Sequence, residues 1–211
     1  MEKIFLFGAG GHAKALISVI EEEGRYEPSF LIDDDPRLNS QSVLGYPVVG
    51  AREELAQAAR SREIKKGIVA IGDNRHRLLV AQWLCEKGFQ LVKAVHPTAY
   101  LARRVAIGDG SALMAGVVIN PDTSVGTCAI INTSASVDHD CTLADGVHVA
   151  PGCRICGGVT VGRGAFIGAG AIVTPGRTIG RNAVVGAGSV VLADVADGVR
   201  AAGNPCRPLS V

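Results

Sequence analysis

From Val95 to Val191 every sixth residue of this chain is Leu, Ile or Val, seventeen in succession without a slip. Four residues after each stands Ala, Ser, Thr, Cys or Val in sixteen of the seventeen cases, with Arg177 the exception. A period of six fits neither the 3.6-residue period of an α-helix nor the alternation of an ordinary strand. It fits a triangular coil. Three flat hexapeptides form three walls, one aliphatic side chain per wall points into a narrow interior, and the small residue sits where two walls converge. Each coil then pairs its backbone with the next. Gly follows the aliphatic residue at Gly108, Gly126, Gly162, Gly168, Gly180 and Gly186, and Gly or Asn near a corner permits the positive φ that corners need. Residues 95–196 then make about five to six such coils.

The composition changes character where the repeat begins. Every Glu lies at or before Glu86 and every Lys at or before Lys93. Two domains are therefore expected, 1–94 and 95–211. The first alternates strand and helix signals. Ile4–Phe7 is an apolar run closed by Gly8-Ala9-Gly10-Gly11. His12–Glu23 carries Ala15, Leu16, Val19 and Ile20 at helical spacing. Ser29–Ile32 reads as a strand, Glu53–Ala59 as a short helix, Gly67–Ile71 as a strand, Arg75–Lys87 as a helix and Gln90–Val95 as a last strand. Such alternation implies a parallel sheet with helices on its faces. The fold class expected is α/β followed by an all-β parallel β-helix.

Charge narrows the partners. Lys plus Arg number 21 against 20 Asp plus Glu, which argues against nucleic acid and against an anionic membrane surface. The start Met1-Glu2-Lys3-Ile4 leads directly into a strand, without a signal-peptide pattern, so a cytoplasmic protein is expected. Six irregularly spaced cysteines do not read as a disulfide framework. Cys153-Arg154-Ile155-Cys156 has no second ligand pair to build a metal site, and no metal is expected.

Of five histidines, two interrupt the repeat. His139, in Val137-Asp138-His139-Asp140-Cys141, stands two residues after an inward Val, a position expected to face outward from a flat wall. One coil on, Gly157 and Gly158 stack over His139 and Asp140 and are expected to leave room for a substrate beside the imidazole. A neighbouring carboxylate, Asp138 or Asp140, would raise the basicity of the ring. Cys141 occupies an inward position and is discounted as a nucleophile. His148 lies half a coil away, on another face or at a corner, so a site using both is more easily formed between two copies. Gly8-Ala9-Gly10-Gly11-His12-Ala13 matches G-x-G-x-x-A between a strand and a helix, with Asp33 and Asp34 about twenty residues on. The helix start suits a pyrophosphate, and Asp33 or Asp34 suits a ribose or uracil. A domain this short fits a nucleotide-sugar better than NAD. Ile71-Gly72-Asp73-Asn74 belongs to the same sheet edge, whereas His76 reads as a helix-surface residue and His96 as a junction residue.

Together these motifs, with Asn132-Thr133, His148-Val149 and Gly203-Asn204-Pro205-Cys206-Arg207, resemble the sugar-nucleotide acetyltransferases of the PglD/NeuD type within the hexapeptide-repeat acyltransferase superfamily. The resemblance implies a Rossmann-like first domain that binds the nucleotide-sugar and a left-handed β-helix that binds acetyl-CoA. It also implies a homotrimer with sites between protomers. By it, His139 is the proton acceptor and Asp140 its partner, while His148 and the backbone at Ala169 and Ala187 contact acetyl-CoA. Gly10, Gly11, His12, Asp33, Asp34 and Gly72 bind the sugar nucleotide. The activity expected is N-acetylation of a UDP-linked 4-amino-sugar of the bacillosamine type. Alternatives are O-acetylation of sialic acid or another sugar, an NAD-binding protein and a non-catalytic β-helix scaffold.

Overall fold

The computed structural model describes residues 1–209; Ser210 and Val211, the end of the expected second domain, lie outside the described residues. The chain divides into two compact units, the first ending at Pro97, three residues beyond the expected limit at 94.

In the first unit, β1 (Glu2–Phe7), β2 (Tyr26–Ile32), β5 (Lys66–Val69) and β6 (Gln90–Leu91) form a parallel sheet in the order β2-β1-β5-β6. A hairpin, β3 (Ser42–Val43) with β4 (Tyr46–Pro47), follows β2. The helices are α1 (Gly11–Glu23), α2 (Arg52–Arg60) and α3 (Asn74–Glu86). Residues Ile4–Phe7 are fully buried, as a central parallel strand requires. Strand β2 begins three residues before the expected Ser29. Pro28, which argues against a strand in sequence, is tolerated because β2 is an edge strand, where its missing N–H breaks no ladder bond. The buried face of α1 is Ala13, Leu16, Ile17, Val19 and Ile20; Ala15 is exposed, which corrects the expected stripe. The expected strand Gly67–Ile71 ends at Val69, and Gln90–Val95 is broken into Gln90–Leu91 and Ala94–Val95.

The second unit is the coil stack that the period implies. Its first wall runs from Tyr100–Leu101 through Ser136–Val137 to Val190–Val191 and has six strands. The second wall runs from Ala106–Ile107 through Thr142–Leu143 to Thr178–Ile179, with five. The third includes Ala112–Leu113, His148–Val149, Phe166–Ile167 and Val184–Val185. Partners are eighteen residues apart and parallel, as in Ser136↔Arg154 and Thr142↔Thr160. From Tyr100–Leu101 to Val190–Val191 each strand is two residues long and ends on the aliphatic repeat position. From Leu113 to Val191 those positions are at most 3% exposed. Leu101 is 38% exposed, because the first coil is covered by another coil on one side only.

Two demands on glycine separate here. Every sixth residue from Arg104 to Gly188 has a positive φ, and these are the true corners. The glycines directly after the aliphatic residue do not have it. A Cβ at Gly168 would lie 2.5 Å from the Ala187 nitrogen one coil on, so those positions are small to let coils stack, not to turn the chain. Buried hydroxyls in the interior are satisfied by backbone: Ser111 Oγ donates to the Gly126 carbonyl at 2.8 Å and accepts from the Ala129 N–H at 2.9 Å.

Candidate active site

His139 and Asp140 form the turn between a first-wall strand and a second-wall strand. The histidine is thus at a corner, not on a flat wall as expected. Asp140 is the positive-φ residue of that corner, with φ 58°, a conformation Asp tolerates better than most residues. This places its carboxylate against the preceding imidazole, with Asp140 Oδ2 2.7 Å from His139 Nδ1. A carboxylate only accepts, so in the neutral ring Nδ1 carries the proton and Nε2 keeps its lone pair. The choice between the two carboxylates is therefore resolved geometrically. Asp138 points elsewhere, its Oδ1 accepting from the His139 backbone N–H at 2.9 Å and from the Asn120 side-chain amide at 2.9 Å. The hydrogen bond to Asp140, and secondarily the charge of Asp138, raises the His139 pKa above 6.5.

Neighbouring coils hold the turn. Thr123 Oγ1 donates to the Asp138 carbonyl at 2.7 Å and accepts from the Cys141 N–H at 3.1 Å. The Asp140 N–H donates to the Pro121 carbonyl, and the Gly158 N–H to that of His139. A Cβ on Gly157 would stand 2.7 Å from His139 Cε1 and Nε2. The space that Gly157 leaves is filled by the imidazole itself, which corrects the expectation of a substrate there. Cys141 is buried and its thiol donates to the Cys156 carbonyl at 3.2 Å; burial pushes its pKa up, which suits filler and not a nucleophile. Cys153 likewise is buried, its thiol donating to the Gly168 carbonyl at 3.0 Å. Among the described residues no group of His, Cys, Asp or Glu could hold a metal ion.

His148 lies within a third-wall strand, neither at a corner nor near the turn of His139, which is at the corner opposite that wall. Its Nε2 is 3.3 Å from Asn132 Nδ2. Asn132 Oδ1 accepts from the Thr133 N–H at 2.8 Å, which orients the amide nitrogen toward the ring, so Nε2 accepts. Phe166 packs edge-on at 5.1 Å. Ala169 and Ala187 stack at the adjacent corner, between the third and first walls, and both are exposed. Among the described residues, their N–H groups donate to no protein acceptor.

The first unit brings all six expected nucleotide-binding residues to one cavity of about 270 Å³. Gly10, Gly11 and His12 come from the start of α1, Asp33 and Asp34 from the end of β2, and Gly72 from the loop after β5. The first N–H groups of α1 have no intrahelical acceptor, and Gly10 caps the helix without a side-chain bond. The Nε2 of His12 is buried without a hydrogen-bond partner, and burial, with the charge of Arg77, lowers its pKa to about 4. It is therefore neutral near pH 7. Asp33 and Asp34 already serve the protein. Asp33 accepts from the Ala9 N–H at 2.7 Å and the Asp35 N–H at 2.9 Å, while Asp34 forms an ion pair with Arg52, which lowers its pKa.

Sequence reasoning missed four contributors. His76, read as a surface residue, lines the cavity. Arg77 is 1% exposed and donates to the carbonyls of Ile71 and Gly72 at 3.0 and 2.9 Å and to Asn74 Oδ1 at 2.8 Å. Its sharing a helix face with Val80, Ala81 and Leu84 was the available signal. Asn120 and Thr123 steady the His139 turn from eighteen residues away.

Residues 3–84 match the family model described as the PglD N-terminal domain, and residues 158–193 that of the bacterial transferase hexapeptide. A His-to-Asn mutant of perosamine N-acetyltransferase from Caulobacter crescentus, solved with CoA and GDP-perosamine, is 42% identical, with a TM-score of 0.95 over 100% of this chain and 98% of that one. The acetyltransferase domain of PglB from Neisseria gonorrhoeae FA1090, solved with acetyl coenzyme A, is 36% identical, with a TM-score of 0.89 over 99% of each chain. GDP-perosamine N-acetyltransferase of Escherichia coli O157:H7 is 29% identical over 157 residues, 72% of this chain and 69% of that protein. On this fold, these motifs and this full-length similarity, the chain belongs to the PglD-type hexapeptide acetyltransferases, and its coil stack is the left-handed parallel β-helix of that family.

Proposed function

We propose that the protein transfers the acetyl group of acetyl-CoA to the amino group of a nucleotide-linked 4-amino-sugar, with His139 as general base. The observation that carries this reading is the 2.7 Å contact between His139 Nδ1 and Asp140, which in the neutral ring leaves the Nε2 lone pair free at an exposed corner. The neutral amine attacks the thioester carbonyl, forming the C–N bond, and its excess proton passes to Nε2. The tetrahedral intermediate then expels the CoA thiolate, which takes the proton from the imidazolium. Base assistance of this kind is worth about 10²–10⁴ in rate, and holding both substrates together supplies the rest of the approach. Asp140 stabilises the imidazolium as it forms.

The nucleotide lies in the cavity at the start of α1, its diphosphate on the free N–H groups of Gly11 and His12. His12 Nε2, neutral and without a partner, supplies a further polar contact. The relatives solved with GDP-perosamine support a guanine nucleotide; the uridine nucleotide expected from the sequence is the second candidate, and both belong in the assay. His148, Ala169 and Ala187 hold acetyl-CoA. Because His139 sits at the corner opposite the wall that carries His148, the reading includes a homotrimer in which one copy presents its His139 corner to the His148 side of the next. The cytoplasm is the proposed location; among the described residues no helix is long and apolar enough to cross a membrane.

The test is acetyl-CoA consumption with GDP-perosamine, a UDP-4-amino-sugar and free sialic acid, for the intact protein and for His139→Ala, with product mass determined. Turnover of a nucleotide-amino-sugar that collapses in the variant supports the reading. Turnover of sialic acid alone moves the acceptor to a hydroxyl, and unchanged turnover in the variant removes His139 as the base.

A further inference from the structure

A separate groove of about 1120 Å³ in the first unit is formed by α2, the segment entering β5 and the end of α3. Its apolar lining includes Trp83, Phe89, Ala56, Ala59 and Ile64. Trp83 and Phe89 are both half-buried, leaving aromatic surface open to the groove. Arg52 marks the end next to the nucleotide cavity. Its guanidinium is occupied there, paired with Asp34 and lying 5.5 Å from the Trp83 ring centroid. The opposite end carries Arg60, Lys65 and Lys87. These three are exposed and have no ion-pair partner among the described residues. Glu53 and Glu63 are also in the lining, so three unpaired cations face two acids.

We infer that this groove is a second ligand site, and that it takes a nucleoside phosphate, with the base against Trp83 and Phe89 and the phosphate at Arg60, Lys65 and Lys87. Two half-open aromatic side chains suit a planar ring, whose stacking is worth about 1–3 kcal/mol per base by alanine substitution. Unpaired cations beyond them suit an anion tethered to that ring. The volume lies slightly above the range of about 300–1,000 Å³ usual for small-molecule pockets. With Arg52 held by Asp34, the anion is directed to the far end. The groove is thus distinct in place and in charge from the cavity at α1, where helix N–H groups and not side-chain cations face the ligand.

Trp83 is the only tryptophan in the chain, so its fluorescence reports on this groove directly and without any turnover. ADP is the probe, with adenosine and ribose 5-phosphate as its two halves, on the intact protein and on Lys65→Glu/Lys87→Glu. The expected result is saturable quenching by ADP, weaker binding of adenosine, no quenching by ribose 5-phosphate, and an ADP dissociation constant raised about tenfold or more in the double variant. No quenching by millimolar ADP overturns the inference. So does quenching of equal strength in the double variant, which would place the nucleotide elsewhere, and so does adenosine binding as tightly as ADP. Because the readout is binding, a failure here leaves the acetyltransferase assay unaffected.

Discussion

Adding one methyl group at Gly157 tests the proposed catalytic geometry with little disturbance of the fold. The Cβ of Gly157→Ala would lie 2.7 Å from both Cε1 and Nε2 of His139 and 3.2 Å from Nδ1. Ordinary carbon contacts are about 3.5–4.0 Å, so the ring must withdraw by roughly 0.8–1.3 Å. The stacked backbone has no comparable freedom, whereas the His139 side chain is 59% exposed and can swing outward. Withdrawal stretches the 2.7 Å bond to Asp140 and displaces Nε2 from the substrate amine. A misplacement of about 1 Å is enough to lower turnover by about 10²-fold. Stability should move the other way. Gly157 is not among the residues with positive φ, and Gly→Ala at a compatible backbone position stabilises by about 0.4–1 kcal/mol through the unfolded chain. The assays are steady-state acetyl transfer and thermal unfolding of the same variant. The expected outcome is kcat down about a hundredfold with an unchanged or slightly higher Tm. Turnover within about twofold of the parent would refute the argument, because it would show that a displaced imidazole serves equally well.

The His139 pKa is raised by Asp140, so the acid limb of the kcat profile should lie above pH 6.5; in Asp140→Asn it should shift to lower pH, while the plateau falls because the base is weaker. The same raised pKa stabilises the fold fully below pH 6.5 and less as pH rises through the folded value, but the pair is exposed, so a melting series from pH 5 to 9 should show only a minor trend from it. Replacing Arg77 with Met leaves the Ile71 and Gly72 carbonyls without their donor, and chemical denaturation should report a loss of about 2–4 kcal/mol; NMR titration should find the His12 pKa higher than about 4 but still below 6.5, since burial is the larger cause of its depression. Cys141→Ala should retain most turnover and intact-mass spectra should show no acetylated protein, whereas accumulation of an acetyl-cysteine would replace direct transfer with a covalent route.

Much of the second unit was legible because a strict period turns sequence distance into spatial distance. A residue eighteen positions on is the neighbour in the next coil, so Gly157 could be placed over His139 before any coordinates. The cavity at α1 was legible for a related reason: Gly10, Gly11, Asp33, Asp34 and Gly72 all fall at strand ends on the carboxyl edge of one sheet, where the turn motifs already stood. Edge tolerance of Pro28 and the burial of Ala13 rather than Ala15 were not legible, because both depend on which neighbours the sheet places alongside.

The sequence by itself therefore determined the coil, its register, its two-unit organisation and most of the residues that meet at the cavity by α1, since these follow from periodicity and chain order. Tertiary structure alone decided which way side chains turn. It put His139 at a corner because residue 140 carries the positive φ of its repeat unit. At that corner the imidazole meets the Asp140 carboxylate, while Asp138 accepts from the His139 N–H and from Asn120. Tertiary structure also buried Arg77 beneath the loop after β5, where it donates to the Ile71 and Gly72 carbonyls and to Asn74 Oδ1; helical spacing could mark its buried face, but only the packing of α3 on the sheet supplied those acceptors.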